Sequence, residues 1–346
     1  MVGREIDKEL VAPTYIRTSD FTAVGQMLVD NYEIPAYKEL NPGVLTVVSF
    51  PFLFAVMFGD IFSGSLLLAA GIYATMMPRT KGSIAETMAP MRYTLLLMGI
   101  FSLFSGFMYN DFSSCPIYLF GSSCFELPKS GLGPSVLKED CVYLIGVDPS
   151  WYIGTNELLF MNSLKMKLAL IFGVLHILLG VILRGFNSLY FREWLNILFE
   201  FIPMMVMFTA TMVYMISMIF SKWLTSYEGE VVLAGGEEVP KTSVAPAILQ
   251  LMLQMAMSNG KPANPNTLPL YGTQQFETTL MQNLLLATLL TVPIMLCAKP
   301  CVIGCKRSCG GSKANVDDDF EKENSAGGAL NAVNSKDDDF VSASLP

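Results

Sequence analysis

The sequence predicts an all-α fold, a polytopic helical membrane protein with about six transmembrane helices. Hydrophobic residues make up 52% of its 346 residues, and charged residues make up 15%. Soluble globular chains have about 25% charged residues. The apolar residues form long uncharged blocks, and the mean hydropathy is +0.46. These properties exclude a disordered protein, a collagen-like fibre and an ordinary soluble enzyme. A net charge of −8 with scattered basic residues also predicts no nucleic-acid partner.

The first apolar block, residues 44–77, is too long for one crossing. Its 34 residues contain a single charge, Asp60. As one helix it would be about 51 Å long, against a hydrocarbon core of about 30 Å. The segment Gly59–Gly64 contains two glycines, a serine and this carboxylate, so we expect a break there and two short helices. The predicted spans are 44–59, 62–77, 91–110, 166–184, 201–221 and 278–298.

Basic residues in three of the connections predict the orientation, because cytoplasmic loops carry an excess of Lys and Arg. We expect segment 1–43 and a basic, then acidic, disordered tail, 299–346, in the cytoplasm. The long loops 111–164 and 222–277 are then lumenal. Five crossings, with the N-terminus outside, are less favoured because that end is itself basic. The basic residues are Arg79, Lys81 and Arg92, then Arg184 and Arg192, then Lys299, Lys306, Arg307 and Lys313.

A further uncharged stretch covers residues 244–258. Its 15 residues are short for a membrane span. Gln250 and Gln254 are four residues apart and would share one face of a helix. The stretch therefore predicts a helix that lies at the lumenal membrane surface.

Three polar residues are candidates for an intramembrane role, since ionisable groups at membrane depth are costly. Asp60 either relays protons or caps the following helix, and the Gly-Asp break favours the cap. His176 lies in the middle of a span; a neutral imidazole bonded to a neighbouring helix is favoured over a functional role. Glu200 lies near a predicted interface and is interpreted as structural. Enzyme motifs are largely missing, and a single histidine excludes a multi-histidine metal site, so no catalytic residue, metal or cofactor is predicted.

The cysteines form two groups. Cys115, Cys124 and Cys141 lie in the first long loop, where an oxidising lumen permits one disulfide and leaves one thiol. The second group recurs every four residues from the end of the last span onward, and a metal site, S-acylation and unmodified thiols all remain open for it. Unmodified thiols are favoured, and S-acylation comes next. The second group comprises Cys297, Cys301, Cys305 and Cys309.

Several longer motifs in the sequence resemble those of one known family. Residues 50–60 read FPFLFAVMFGD, residues 156–176 read NELLFMNSLKMKLALIFGVLH, and residues 187–191 and 199–203 read NSLYF and FEFIP. Upstream, Pro13-Thr14-Tyr15 and Asn41-Pro42 stand in a P-T-Y-x-R-T … N-P arrangement. Together these motifs resemble subunit a of the eukaryotic vacuolar-type proton ATPases, from about residue 12 to Pro300.

The resemblance implies a non-catalytic scaffold of a rotary proton pump. Subunit a stands beside a ring of proteolipid subunits in the membrane, while other subunits hydrolyse ATP. The implied partners are that ring, the other pump subunits and membrane lipid. The implied location is the membrane of the vacuole, the endosome or another acidic organelle, with both termini cytoplasmic. An arginine of subunit a faces the ring and separates two aqueous half-channels, because a guanidinium stays charged when buried.

The resemblance also has departures. The family's large cytoplasmic domain and its arginine-bearing helices are expected to lie outside this chain, which then looks truncated at both ends. None of Arg79, Arg92, Arg184 and Arg192 fits the ring-facing role, because all fall at predicted interfaces. The family's G-D-x-G-H-G pattern has Phe62 and Ser63 in place of its Gly-His pair. The alternatives are a stand-alone multi-pass transporter or channel, and a non-conducting short paralogue that serves assembly or regulation.

Overall fold

The structure, a computed structural model, describes residues 14–35, 38–77, 91–126, 136–138, 141–227, 229–232, 238–258 and 268–309. The connection that holds Arg79 and Lys81 and the acidic part of the tail lie outside these residues. The described helices are α1 Ala23–Asp30, α2 Gly43–Met57, α3 Ile61–Met76, α4 Arg92–Tyr109, α5 Glu157–Tyr190, α6 Trp194–Leu224, α7 Ile248–Met257 and α8 Gln274–Val302.

The first apolar block is divided into two helices, as the Gly-Asp sequence predicts. α2 ends at Met57 and α3 begins at Ile61, so the break covers residues 58–60. The two helices have 15 and 16 residues. Asp60 has an extended backbone conformation and is the N-cap residue of α3.

Glycines let α3 and α4 approach each other backbone to backbone. Gly64 and Gly71 are seven residues apart on α3, and Gly99 and Gly106 are seven apart on α4, so each pair lies on one helix face. A Cβ built on Gly99 would lie 2.5 Å from a backbone Cα of α3. A Cβ on Gly106 would lie 2.5 Å from the backbone nitrogen of Ile61. This contact has no room for a larger residue.

The helix that contains the predicted span 166–184 is longer than that span. α5 begins at Glu157 and ends at Tyr190, so it has 34 residues. Lys165 and Lys167 interrupt the apolar pattern, but lysine is a good helix former and does not interrupt the helix. The last residues of the predicted loop 111–164 are thus helical and belong to α5.

The helices that contain the predicted spans 201–221 and 278–298 also continue beyond those spans. α6 starts at Trp194 and contains π-helical turns at Ile197–Phe201 and Thr209–Val213. α8 has a π-helical turn at Ile294–Ala298. The α-helical segment after this turn, Lys299–Cys309, forms the end of α8 and extends beyond it. The first part of the predicted disordered tail is thus helical.

Among the described residues, four helices are long and apolar enough to cross a membrane, namely α4, α5, α6 and α8. The shorter apolar helices are α2, α3 and α7. Many apolar side chains of the long helices are exposed, such as Leu175, Ile177 and Leu290. Such a surface suits lipid rather than water. The count of six crossings and the sidedness of the loops stay predictions.

Both long loops contain short antiparallel strand pairs. In the disulfide loop, residues 110–156, β1 Asp111–Phe112 pairs with β2 Cys115–Pro116, and β3 Phe125–Glu126 pairs with β4 Val136–Leu137. A 3-10 helix, Pro149–Tyr152, precedes α5. In the second loop, β5 Glu230–Val232 pairs with β6 Glu238–Pro240, and a 3-10 helix at Lys241–Val244 follows.

The helix predicted within 244–258 is α7, and it packs against protein on one side. Leu251 and Met255 join a buried core that α6 and α8 also build. Gln254 is buried among these elements, whereas Gln250 is exposed, so the two glutamines have different surroundings. The lumenal membrane-surface position stays a prediction. The other members of this core are Tyr214, Met218, Leu270 and Met281.

Candidate functional site

The break between α2 and α3 frees backbone carbonyls, and three side chains bind them. Tyr109 Oη donates a hydrogen bond to the carbonyl of Val56 over 2.8 Å. Ser102 Oγ donates to the carbonyl of Phe58 over 2.6 Å. A buried carbonyl without a partner is destabilising, so these bonds are what permits a chain break in an apolar bundle.

Lys165 of α5 is the third donor at this break. Its Nζ lies 3.3 Å from the carbonyl oxygen of Gly59 and 3.3 Å from Asp111 Oδ2. It also lies 5.0 Å from the centre of the Tyr109 ring. The ion pair is largely buried, because the side chains of Lys165 and Asp111 are 18% and 9% exposed. Lys165 therefore ties α5 to the break and to the start of the disulfide loop.

Asp60 completes the break by capping α3. Its carboxylate accepts hydrogen bonds from the backbone N–H groups of Phe62 at 3.3 Å and Ser63 at 3.0 Å. It also accepts from Ser63 Oγ at 2.6 Å and from the N–H of Ser113 at 2.7 Å. This geometry is the capping alternative of the sequence analysis. Ser63 supplies the hydroxyl contact at a position where the resembled family has histidine.

Substitution of Asp60 separates the two roles considered for it. Asparagine keeps a side-chain oxygen at the N-cap, so we expect Asp60→Asn to be nearly neutral, whereas Asp60→Ala should lower the free energy of unfolding by about 1 kcal/mol. Thermal unfolding in detergent measures both. A proton relay needs a titrating carboxyl group, so in that case Asp60→Asn would abolish proton transport while leaving stability intact.

The disulfide loop is closed by a disulfide between Cys124 and Cys141, while Cys115 is free and exposed. Asp148 organises the backbone around this disulfide. Its carboxylate accepts hydrogen bonds from Ser123 Oγ at 2.7 Å, the N–H of Cys124 at 2.9 Å and the N–H of Ser150 at 2.9 Å. Burial opposes ionisation, but these hydrogen bonds outweigh it and hold the pKa of Asp148 below its usual value.

The lowered pKa of Asp148 predicts how the loop responds to acid. A carboxyl group whose pKa is lower in the folded state stabilises the fold above its unfolded pKa, about 3.9. That stabilisation is lost as the pH falls through the lowered folded value. We expect amide protection around Cys124 to stay constant from neutral pH to about pH 5 and to fall below about pH 4. Hydrogen exchange corrected for intrinsic rates measures it; Asp148→Asn should be less protected at neutral pH and should lack the acid step.

His176 contacts a neighbouring helix, which is the favoured alternative for it. Its Nε2 lies 2.9 Å from Ser49 Oγ of α2. A groove of about 590 Å³ lies beside this pair, between α2, α5 and α6. Its lining is mainly apolar, including Leu45, Leu179 and Met204, with Arg184 also on its wall.

Glu200 lies between two basic residues. It forms ion pairs with Arg184 of α5 and with Lys299 of α8, the second at 3.9 Å. The π-helical turn Ile197–Phe201 contains Glu200. These pairs join three helices at one end of the bundle, in agreement with the structural interpretation of Glu200.

The three candidate residues lie at different depths and do not form one site. Along α5, the partners Lys165, His176 and Arg184 are separated by about 16 Å and 12 Å at the helical rise. Lys165 lies beside the break that Asp60 caps, and Arg184 pairs with Glu200. Within the described residues, no group of three or more His, Cys, Asp and Glu side chains is placed to hold a metal ion. The arrangement holds helix ends in place.

A second polar cluster, which is not evident from the sequence, lies at the start of α8. Glu277 is 6% exposed, and its Oε2 accepts a hydrogen bond from the N–H of Leu270 at 3.0 Å. In the described part of the chain, Glu277 Oε1 and Tyr214 Oη are buried without hydrogen-bond partners. Nearby, Ser217 Oγ and Tyr271 Oη are 2.9 Å apart. Glu277 directly precedes the predicted span 278–298, and only the fold buries it.

Comparison with known proteins places these features in a family. The sequence matches the V-type ATPase 116kDa subunit family over residues 1–342. It is 34% identical over 322 residues to human V-type proton ATPase 116 kDa subunit a 4, and the aligned region covers 86% of this chain and 36% of that protein. It is 37% identical over 321 residues to the Caenorhabditis elegans V-type proton ATPase 116 kDa subunit a 1, covering 83% and 35%.

A plant relative is equally similar. The chain is 34% identical over 300 residues to V-type proton ATPase subunit a3 of Arabidopsis thaliana, covering 84% of the chain and 34% of that protein. The chain thus spans about a third of the length of these relatives. The family match extends over nearly the whole chain. It confirms the resemblance that the sequence motifs indicate. The chain belongs to the V-type ATPase 116kDa subunit family.

Proposed function

We propose that the chain serves as a non-catalytic membrane subunit of a V-type proton ATPase, where it supports the proton path beside a ring of proteolipid subunits. The observation that carries this proposal is the identity of 34–37% to V-type proton ATPase subunits a over 83–86% of the chain. In this proposal ATP hydrolysis lies on other subunits.

The geometry supports a scaffold that resists the torque of a rotary partner. One end of the bundle is held by Lys165, which bridges the α2–α3 break and Asp111. The other end is held by Glu200 between Arg184 and Lys299. Fixed contacts at both ends prevent the long helices from shearing past one another.

We further propose that both termini are cytoplasmic and that the disulfide loop faces the lumen of an acidic organelle. Two contacts support this sidedness by gathering basic residues at one end. Arg92 forms an ion pair at 3.0 Å with Asp20, a residue that precedes α2 in the chain. The N–H of Leu40, also before α2, donates to Asn187 Oδ1 near the end of α5, close to Arg184. The end with the basic residues is then the cytoplasmic one.

We also propose that the ring-facing arginine is not among the arginines near these helix ends. Arg92 and Arg184 are each neutralised by a carboxylate, Asp20 and Glu200 respectively. An arginine that separates two half-channels has to present its charge to the ring carboxylate, which a partner carboxylate would screen. Arg79 lies outside the described residues.

Association with the ring tests the proposal. The chain, tagged at its N-terminus, is purified in mild detergent from eukaryotic membranes, and we expect proteolipid subunits to co-purify. The purified chain alone is then placed in liposomes with an internal pH dye and a potassium diffusion potential. We expect no proton flux without the ring. Proton flux from the chain alone, without co-purifying proteolipid, would favour the stand-alone transporter or channel.

The same purification separates a conducting from a non-conducting member of the pump. Complexes that contain the chain are tested for ATP-driven acidification of liposomes. Co-purification with acidification supports the proposed role in the proton path. Co-purification without acidification would favour the alternative of an assembly or regulatory subunit.

A further inference from the structure

Three cysteines form one outward face at the C-terminal end of α8 and in the helical segment that extends beyond it. Cys297, Cys301 and Cys305 are free and exposed. The exposed residues 296–297, 300–301 and 304–305 are separated by the half-buried residues 298–299 and 302, which is the periodicity of a helix with one outer face. Every cysteine of this segment falls in an exposed pair. We call Cys297, Cys301 and Cys305 the cysteine face.

The opposite face of the same segment packs on the protein. Lys299 lies in a half-buried pair, and its Nζ is 3.9 Å from Glu200 Oε2. The ion pair fixes the rotation of the helix about its axis. The cysteine face is therefore directed away from α5 and α6.

The cysteine face follows a part of α8 that has exposed apolar side chains. Leu286, Leu290 and Leu296 of α8 are 57%, 56% and 70% exposed. α8 is long and apolar enough to cross a membrane, so these leucines suit contact with lipid. Lys306 and Arg307 follow the last of the three cysteines in the sequence and mark the passage to the aqueous phase. The thiols thus begin where the lipid-facing surface ends.

The arrangement does not suit a metal ion. Thiols four residues apart on a helix are separated by a rise of about 6 Å, so three of them do not converge on one point. In the described segments no cluster of ligands is placed to hold a metal. A disulfide between neighbouring members is disfavoured for the same reason, since Cβ atoms in a disulfide are about 3.8 Å apart.

We propose that the cysteine face is a site of S-acylation by a long-chain fatty acyl group. A thiolate of the face attacks the carbonyl carbon of a long-chain acyl-CoA, with a membrane acyltransferase as catalyst. A new sulfur–acyl bond forms, the bond between the acyl group and CoA sulfur breaks, and the CoA thiolate takes the proton that the cysteine lost. No oxidant or reductant is consumed. The acyl chain then inserts beside the exposed leucines.

The proposal depends on the membrane position of α8 and not on the role in a proton pump. A chain that failed to bind the proteolipid ring would still be acylated. A chain that bound the ring without acylation would leave the proposed function intact. The two proposals therefore fail independently.

Acyl exchange on the full chain, expressed in eukaryotic cells, tests the site. Free thiols in the membranes are blocked with N-ethylmaleimide, thioesters are cleaved with neutral hydroxylamine, and the released thiols are labelled with a 5-kDa maleimide polymer. Cys309→Ser is present in every protein tested, so that no cysteine after the cysteine face is counted. We expect a hydroxylamine-dependent mobility shift of one to three steps. The shift should disappear in the triple variant Cys297→Ser, Cys301→Ser, Cys305→Ser.

Cys115→Ser is the matched control, because Cys115 is also free and exposed but lies in the disulfide loop. We expect it to keep the full shift. The proposal is overturned if the membrane-inserted chain shows no hydroxylamine-dependent shift while an endogenous acylated protein in the same sample does. It is also overturned if the shift survives in the triple variant. Thiols that react with neither maleimide nor hydroxylamine would also overturn it, because the face would then be covered by another protein and carry no acyl group.

Discussion

Replacement of Gly99 by leucine is expected to separate α3 from α4 and to prevent stable folding. A Cβ at this position would lie 2.5 Å from both the backbone nitrogen and the Cα of Leu68. Overpacking in a core typically costs about 1–3 kcal/mol when side chains can yield. Here the obstacle is main chain, so we expect a loss above about 3 kcal/mol. Fluorescence-detected size-exclusion after heating in detergent measures the temperature at which the monodisperse peak is lost.

The control for this variant is the same substitution at Gly180 on α5. Gly180 is exposed, and a Cβ built on it meets nothing within 4 Å. Leucine is also a better helix former than glycine, so Gly180→Leu should be neutral or slightly stabilising. Equal melting temperatures for the two variants would show that α3 and α4 are not in backbone contact.

Replacement of Lys165 by methionine is expected to be the second most damaging change. Methionine keeps much of the volume but removes the charge that Asp111 faces at 3.3 Å. It also removes the donor to the carbonyl of Gly59. Breaking a buried ion pair by removing one partner costs about 3–5 kcal/mol, because the remaining charge is left unpaired. Chemical unfolding in mixed micelles measures the free energy of unfolding.

Two further variants isolate the pair. Lys167→Met changes a lysine two residues along α5 that makes no ion pair in the described part of the chain, and we expect a small effect. In Lys165→Met with Asp111→Asn, the unpaired charge is gone while the amide oxygen still accepts from the N–H of Ser114. We expect the double variant to recover part of the lost stability. Additive losses would mean that the two side chains do not interact.

The sequence predicted those features that depend on local chemistry. The all-helical membrane character followed from apolar blocks, and the division of the first block followed from the Gly-Asp segment. Asp60 as a cap is a local matter, because its partners Phe62 and Ser63 are two and three residues away. Local preferences of this kind act before any tertiary contact forms.

Other features depend on long-range contacts that one sequence does not reveal. Nothing in the sequence distinguishes Lys165 from other lysines near apolar blocks, because its partners Gly59 and Asp111 are 106 and 54 residues away. Glu277 likewise acquires its burial only when α7 and α8 pack together with α6. The ends of α5 could not be predicted because hydropathy marks where the hydrocarbon ends, and a helix continues through the polar region beyond it.

The unequal helix lengths have a consequence for the lipid itself. α2 and α3 have 15 and 16 residues, which is about 23 Å of helix, whereas α5 has 34 residues. In the proposed orientation the short pair does not match a hydrocarbon core of about 30 Å. A bilayer thins locally around short spans at a modest cost per ångström of mismatch. The side of the bundle formed by α2 and α3 would then dimple the membrane and bring bulk water closer to mid-bilayer on that side alone.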